Sequence, residues 1–211
     1  MGDRDRDRDF AALALRLATG PMLIAHGYNK VFGKGGLEGT AGWFEGLGLQ
    51  PGWLHARMAA ATELGAGTLI TLGALDPLPS AAVVGLMATA TRTDHRGKGF
   101  FVFKGGWEYT VFVAAAATAL ASLGSGRWSV DRLIGRRPRR GAKVAILAAA
   151  FGVANSTALL AAAYRPAPDK GAGTGTTDAA AAADSGDATS DSGGSTTTDA
   201  AAAAGGAAGG V

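Results

Sequence analysis

The chain has 211 residues, 47% of them hydrophobic and 18% charged, with a formal net charge of +3. It contains no cysteine, which excludes a disulfide framework, a thiol relay, a Cys-ligated zinc or iron–sulfur centre and a dithiol redox motif. The averages hide two regimes: residues 166–211 are an Ala, Gly, Thr, Ser and Asp tract with six Asp against one Lys, so the positive balance resides in residues 1–165. That tail cannot bury enough apolar surface to order itself and is expected to be disordered. Residues 1–165 suffice for one domain.

In chain order, a charged N-terminus (residues 1–9) alternates Asp with Arg and leads into Phe10–Phe32, interrupted only by Arg16, His26 and Lys30. With no net-positive leader and no small-residue cleavage site, this segment is read as a retained span rather than a signal peptide. Arg16, about one and a half turns in, is expected to snorkel to the headgroups. Lys34–His55, with Trp43, Phe44 and Trp53, reads as an amphipathic loop lying on the membrane interface. Met58–Leu75 carries one charge, Glu63, and the prolines of Asp76-Pro77-Leu78-Pro79-Ser80 mark a tight turn between helices. Leu78–Thr91 is uncharged and closed by Arg92, and Arg92–Trp107 is a polar loop. Tyr109–Gly126 and Val144–Tyr164 are likewise free of charge, and between them Arg127–Lys143 holds seven cations. Asn155, Ser156 and Thr157 in the last segment are expected to form interhelical hydrogen bonds.

A hydrocarbon core of roughly 30 Å needs about 20 helical residues. Four of the five apolar segments meet that length, and the third does so only if Arg92 snorkels outward. Burying five such helices in water would require a far larger polar shell than this chain supplies. Their richness in Ala, Gly, Thr and Ser suits close helix approach in lipid. The expected fold is therefore all-α, a transmembrane helical bundle. The arginine run is read as a topological determinant and not as a nucleic-acid contact. As the positive loop it belongs in the cytoplasm, which places the N-terminus inside and the loops 34–55 and 92–107 and the C-terminal tail outside.

Alternating helix direction then gathers His26, Lys30, Glu63, Arg92, His95 and Glu108 at one membrane face. His26 and Lys30 are four residues apart and share a helix face. Glu63 lies about five residues into its span, roughly 7–8 Å deep, where a carboxylate must be protonated or paired. Lys30, His26 and Arg92 are the available partners. The cluster reads either as interhelical packing contacts or as a proton-handling or small-molecule pocket, for example around a quinone headgroup. No ligand spacing supports a metal site.

These residues resemble the DoxX family of small bacterial membrane proteins. His26-Gly27-Tyr28-Asn29-Lys30-Val31-Phe32-Gly33 is similar to its first-helix signature, and Glu63-Leu64-Gly65-Ala66-Gly67 to its second-helix glutamate and glycines. His95 with Phe100-Phe101 and Glu108 resembles the boundary of its third and fourth helices, and Gly124-Ser125-Gly126-Arg127-Trp128-Ser129-Val130-Asp131 its ending. The resemblance implies a four-helix core over residues 10–132 in the bacterial plasma membrane. It also implies links to oxidoreductase systems, since relatives include a subunit of a thiosulfate:quinone oxidoreductase and members of a complex with superoxide dismutase and a sulfurtransferase. Beyond that core lie a basic cytoplasmic loop (133–143), a fifth span (144–165) and the acidic tail (166–211). With no flavin, haem or nicotinamide motif, the chain is expected to be a membrane subunit of a redox or thiol-stress system, with electrons arriving through a bound quinone or a soluble oxidoreductase partner. A scaffold recruiting soluble enzymes through Arg127–Lys143, and a small transporter using Glu63 as its proton-coupling carboxylate, are the alternatives.

Overall fold

Glycine and proline set the principal helix boundaries. A computed structural model describes residues 2–137 and 139–166. Its helices are α1 (Asp3–Phe32), α2 (Gly36–Gly46), α3 (Gly52–Leu72), α4 (Leu78–Thr93), α5 (Glu108–Leu123), α6 (Val130–Leu133) and α7 (Ala142–Ala163), with one 3-10 turn at Val102–Lys104. Helix α3 stops at Gly73, whose φ of 67° is left-handed. The Gly73 N–H donates to the Ile70 carbonyl and the Ala74 N–H to that of Leu69, the paired bonds of a Schellman motif. Pro79 lies in the first turn of α4, where its missing N–H costs nothing.

Small residues decide which helices touch. A Cβ on Gly67 of α3 would come 2.8 Å from the Gly20 carbonyl of α1, and one on Gly27 of α1 would come 2.8 Å from Leu64 of α3. Helix α7 closes on α4 in the same way, since a Cβ on Gly152 would lie 2.9 Å from the Gly85 nitrogen. The central cluster is Leu23, Ile70, Val83, Val84, Met87, Val113 and Leu120, with alanines filling the rest. Many of the largest apolar side chains face outward, including Phe10, Phe112, Leu147 and Phe151. Large residues outside and small ones at the contacts reverse the pattern of a water-soluble bundle. Helices α1 and α7 are long and apolar enough to cross a membrane, whereas α5 is apolar but only 16 residues long.

Helix direction alternates. The Gln50 N–H bonds to the Ala163 carbonyl and the Arg165 N–H to that of Gly48, so the end of α7 lies beside the start of α3. At the other end the Gly141 N–H bonds to the Ser122 carbonyl. Several expectations are refined. The charged N-terminus is helical from Asp3, with Arg8 donating to Asp5 at 2.9 Å. The 34–55 stretch contains α2, which turns Phe44 inward and leaves Trp43 and Trp53 at the surface. Ser156 does bond across helices, to Thr89 at 2.9 Å, and Thr157 accepts from Arg92, but Asn155 donates only to Phe151 one turn back on its own helix. Of the tail, residues 167–211 lie outside the described residues.

Arg16 overturns its expected snorkelling position. It is 5% exposed and turned inward. Its Nε donates to Ile70 O at 2.9 Å, Nη2 to Thr71 O at 2.8 Å, and Nη1 to Ser125 O at 2.9 Å and Trp128 O at 2.6 Å. The last carbonyls of α3 lack intrahelical donors and carry the negative end of the helix dipole. They offer the guanidinium a better shell than partial exposure at the headgroups. A Cβ on Gly73 would meet Arg16 Cζ at 2.6 Å, so the left-handed glycine also makes room for the charge. Replacing Arg16 with Met leaves these carbonyls without their donor and should lower stability by about 3 kcal/mol or more, because hydrogen bonds to charged groups contribute about 1.5–3 kcal/mol each and are not additive. The control Arg132→Gln, at an exposed position, should stay within about 0.5 kcal/mol. Equilibrium unfolding in mixed micelles measures both; equal values would return Arg16 to the headgroups.

Candidate functional site

His26 and Lys30 lie one turn apart on α1, and the antiparallel α3 passes beneath them. Gly27, between the two, has no side chain to hold α3 away: a Cβ there would lie 3.0 Å from that of Glu63. The contact places Lys30 Nζ 2.7 Å from Glu63 Oε1. Glu63 is 5% exposed, and its second oxygen, Oε2, is buried without a hydrogen-bond partner among the described residues. The His26 ring packs at 5.5 Å against Tyr109 from the start of α5. Both groups stand within Coulombic reach of the carboxylate.

Of the six residues gathered by the sequence, the structure brings His26, Lys30 and Glu63 together and places the other three elsewhere. Arg92, expected as a partner for Glu63, instead donates from Nη1 to Thr157 Oγ1 at 2.8 Å, because α7 packs against α4 at that level. His95 Nδ1 lies 2.6 Å from the Gly105 carbonyl, which fixes the hydrogen on that nitrogen. Glu108 Oε2 accepts the Val102 N–H at 3.0 Å. His95 and Glu108 therefore brace the loop between α4 and α5. Tyr109 was not singled out by sequence reasoning; its only signal is a phenol at the entrance of an otherwise uncharged run. Among the described residues there is no group of three or more His, Cys, Asp or Glu side chains that could hold a metal ion.

A second polar assembly, also missed, occupies the opposite end of the bundle. Asp131 of α6 accepts the Leu75 N–H at 3.0 Å, the Asp76 N–H at 3.3 Å, Ser125 Oγ at 2.7 Å and Arg136 Nη1 at 3.1 Å. Burial would raise its pKa, but the donors from Leu75, Ser125 and Arg136 outweigh burial and hold it below the usual carboxylate range. Asp76 has the opposite fate. Burial, reinforced by the Asp131 charge, pushes it up to about 6 against the 3.1 Å bond it accepts from Ser80. The assembly ties the turn after α3 to the segment after α5 and is structural in geometry.

Residues 11–96 match the family model DoxX. The match covers most of α1 and all of α2, α3 and α4, and with them His26, Lys30, Glu63, Arg92 and His95. Tyr109, Glu108 and α7 fall beyond it. No curated protein and no solved structure gives a match.

Asp76 makes stability depend on pH. Its folded-state pKa is raised from 3.8 to about 6, so the folded chain holds this proton more tightly than the unfolded one. The resulting stability is fully present below about pH 4 and is lost as pH rises through about 6. Asp131, depressed, contributes in the opposite sense, its share disappearing on acidification. Asp76→Asn should abolish the decline between pH 4 and 6, worth up to about 3 kcal/mol at about 1.36 kcal/mol per unit. Unfolding midpoints across that range check it, and a slope unchanged from the parent chain would contradict the assignment.

Proposed function

The chain belongs to the DoxX family of membrane proteins, and from that premise we propose that it is a multi-pass subunit of a plasma-membrane redox system whose Lys30–Glu63 site receives a quinone headgroup. The observation that carries the reading is the unpartnered Glu63 Oε2. A buried carboxylate with one oxygen in a charge-assisted bond and the other open is arranged to accept a hydrogen bond from a bound hydroxyl. Intramembrane ionisable groups of this kind mark proton or substrate paths more often than packing.

When bound, a quinone would supply two-electron, two-proton chemistry. Lys30 holds the carboxylate in place and offers its remaining ammonium protons to a carbonyl oxygen. Glu63 Oε2 takes or returns a proton at the same depth. His26, surface-exposed beside Tyr109, is placed to pass that proton toward water. Electrons come from a soluble oxidoreductase partner, since the chain has no cysteine and no carrier motif of its own.

The same reading gives five spans: α1, α3, α4 and α5 as the core, with α7 added. The outward-facing aromatic and aliphatic side chains on α1, α5 and α7 support it, as does the alternation of helix ends. Helices α4 and α5, at 16 residues each, reach about 24 Å at 1.5 Å per residue, and rely on flanking side chains or local thinning to match the bilayer. The cations of Arg127–Lys143 then face the cytoplasm and the end of α7 faces outward. One observation favours a scaffold role as well: Leu133, 85% exposed, and Ile134 stand beside Arg132, Arg137, Arg139 and Arg140, a strip suited to acidic partners.

Extraction of the protein purified in mild detergent should yield a stoichiometric quinone, or titration with decylubiquinone should saturate. Glu63→Gln should weaken that binding at least tenfold. Failure of the parent chain both to retain and to bind a quinone would remove the quinone reading while leaving the family assignment intact.

A further inference from the structure

The largest cavity of the described residues is not at Glu63. It measures about 790 Å³ and lies where the end of α4, the loop leading to α5 and the end of α7 meet, bordered by Arg92, His95, Arg96, Trp107, Leu160 and Tyr164. Its cations are largely uncommitted. Arg92 spends one Nη1 donor on Thr157 and keeps the others at the surface. Arg96 is exposed and makes no hydrogen bond or ion pair among the described residues. The neighbouring carboxylate does not neutralise them: Asp94 is turned to Lys98 Nζ at 3.0 Å and to His95 Nε2 at 3.6 Å. A guanidinium fork presents up to five donors, a geometry matched to phosphate oxygens.

The remaining wall is apolar and aromatic, formed by Trp107, Leu160 and Tyr164. Tryptophan and tyrosine rings at this level suit the boundary between headgroups and hydrocarbon. The volume far exceeds that of a bare oxyanion, so the occupant has a body attached to its anionic head. The geometry points to a phosphate-ester site, in which Arg92 and Arg96 hold the phosphate and the aromatic wall covers the attached group. Helix α7 supplies Leu160 and the residue following it, Tyr164, and positions Arg92 through Thr157. Because α7 lies outside residues 11–96, the site belongs to this chain's extension of the family domain. It is independent of the Lys30–Glu63 reading. An anionic phospholipid headgroup and a soluble phosphate ester share this chemistry.

The full-length protein in uncharged micelles at low salt is titrated calorimetrically with dihexanoylphosphatidylglycerol, dihexanoylphosphatidylcholine and glycerol 3-phosphate. Saturable binding of one of the anionic probes is expected, at least tenfold weaker in Arg92→Gln/Arg96→Gln and unchanged in the distant control Arg132→Gln/Arg140→Gln. Tighter binding of phosphatidylglycerol identifies a lipid headgroup; tighter binding of glycerol 3-phosphate identifies a soluble ester. Arg96→Gln alone, which removes no hydrogen bond of the described fold, must still lose severalfold in affinity, so a poorly folded double variant does not shelter the proposal. No saturable anion binding, equal binding of phosphatidylcholine, or affinity indifferent to both arginine variants overturns it.

Discussion

Where water is absent, a charge must find its compensation inside the protein, and that constraint organises this bundle. Helix α1 carries two inward cations, Arg16 and Lys30, and both are satisfied by α3. Fourteen residues separate them along α1, roughly 21 Å at 1.5 Å per residue. Between the two contacts Gly20 and Gly67 bring the backbones together. The pair α1–α3 is therefore fixed at both ends and tight in the middle. The other elements build on it: the α3 terminus held by Arg16 also presents Gly73, Leu75 and Asp76 to α6, and α4, α5 and α7 close around the aliphatic centre.

The two ends use the constraint differently. At the Arg16 end the acceptors are carbonyls that a helix terminus leaves open, and the guanidinium gathers four of them from two segments. Every donor direction has a purpose and the assembly is closed. At the Lys30 end the match is incomplete. One carboxylate oxygen is answered and its twin is not. In a bundle that otherwise pairs its buried polar atoms so fully, the open oxygen is where a ligand or a transferred proton would enter.

Much of this was legible in residue order. Charge-free runs separated by proline turns and a cationic loop give the helices and their alternation, and a lone Glu63 opposite a Lys30 gives the pair. What escaped has a common physical cause. The direction of Arg16 depends on α3 carbonyls 54 and 55 residues away, which no reading of α1 alone contains. Arg92 was matched to Glu63 by depth, but depth does not say which neighbour a helix faces, and α7 claimed it through Thr157. Asp76 and Asp131 read as ordinary turn acids until Ser125, Arg136 and the Leu75 N–H converge on one of them and leave the other to burial. The α2 helix lay hidden in a Gly-rich stretch because glycine weakens the periodic signal that would reveal it.

The account stands or falls on Lys30 and Glu63 compensating each other in a medium that solvates neither. A double-mutant cycle reads this directly, with unfolding free energies measured for Lys30→Met, Glu63→Gln and the two combined. Each single change should be costly, since it strands the other group, while the combined variant, with neither charge to bury, should be more stable than at least one of the singles. Losses that simply add, leaving the combined variant the weakest of the three, would show two independent groups exposed to water and would contradict the buried pair.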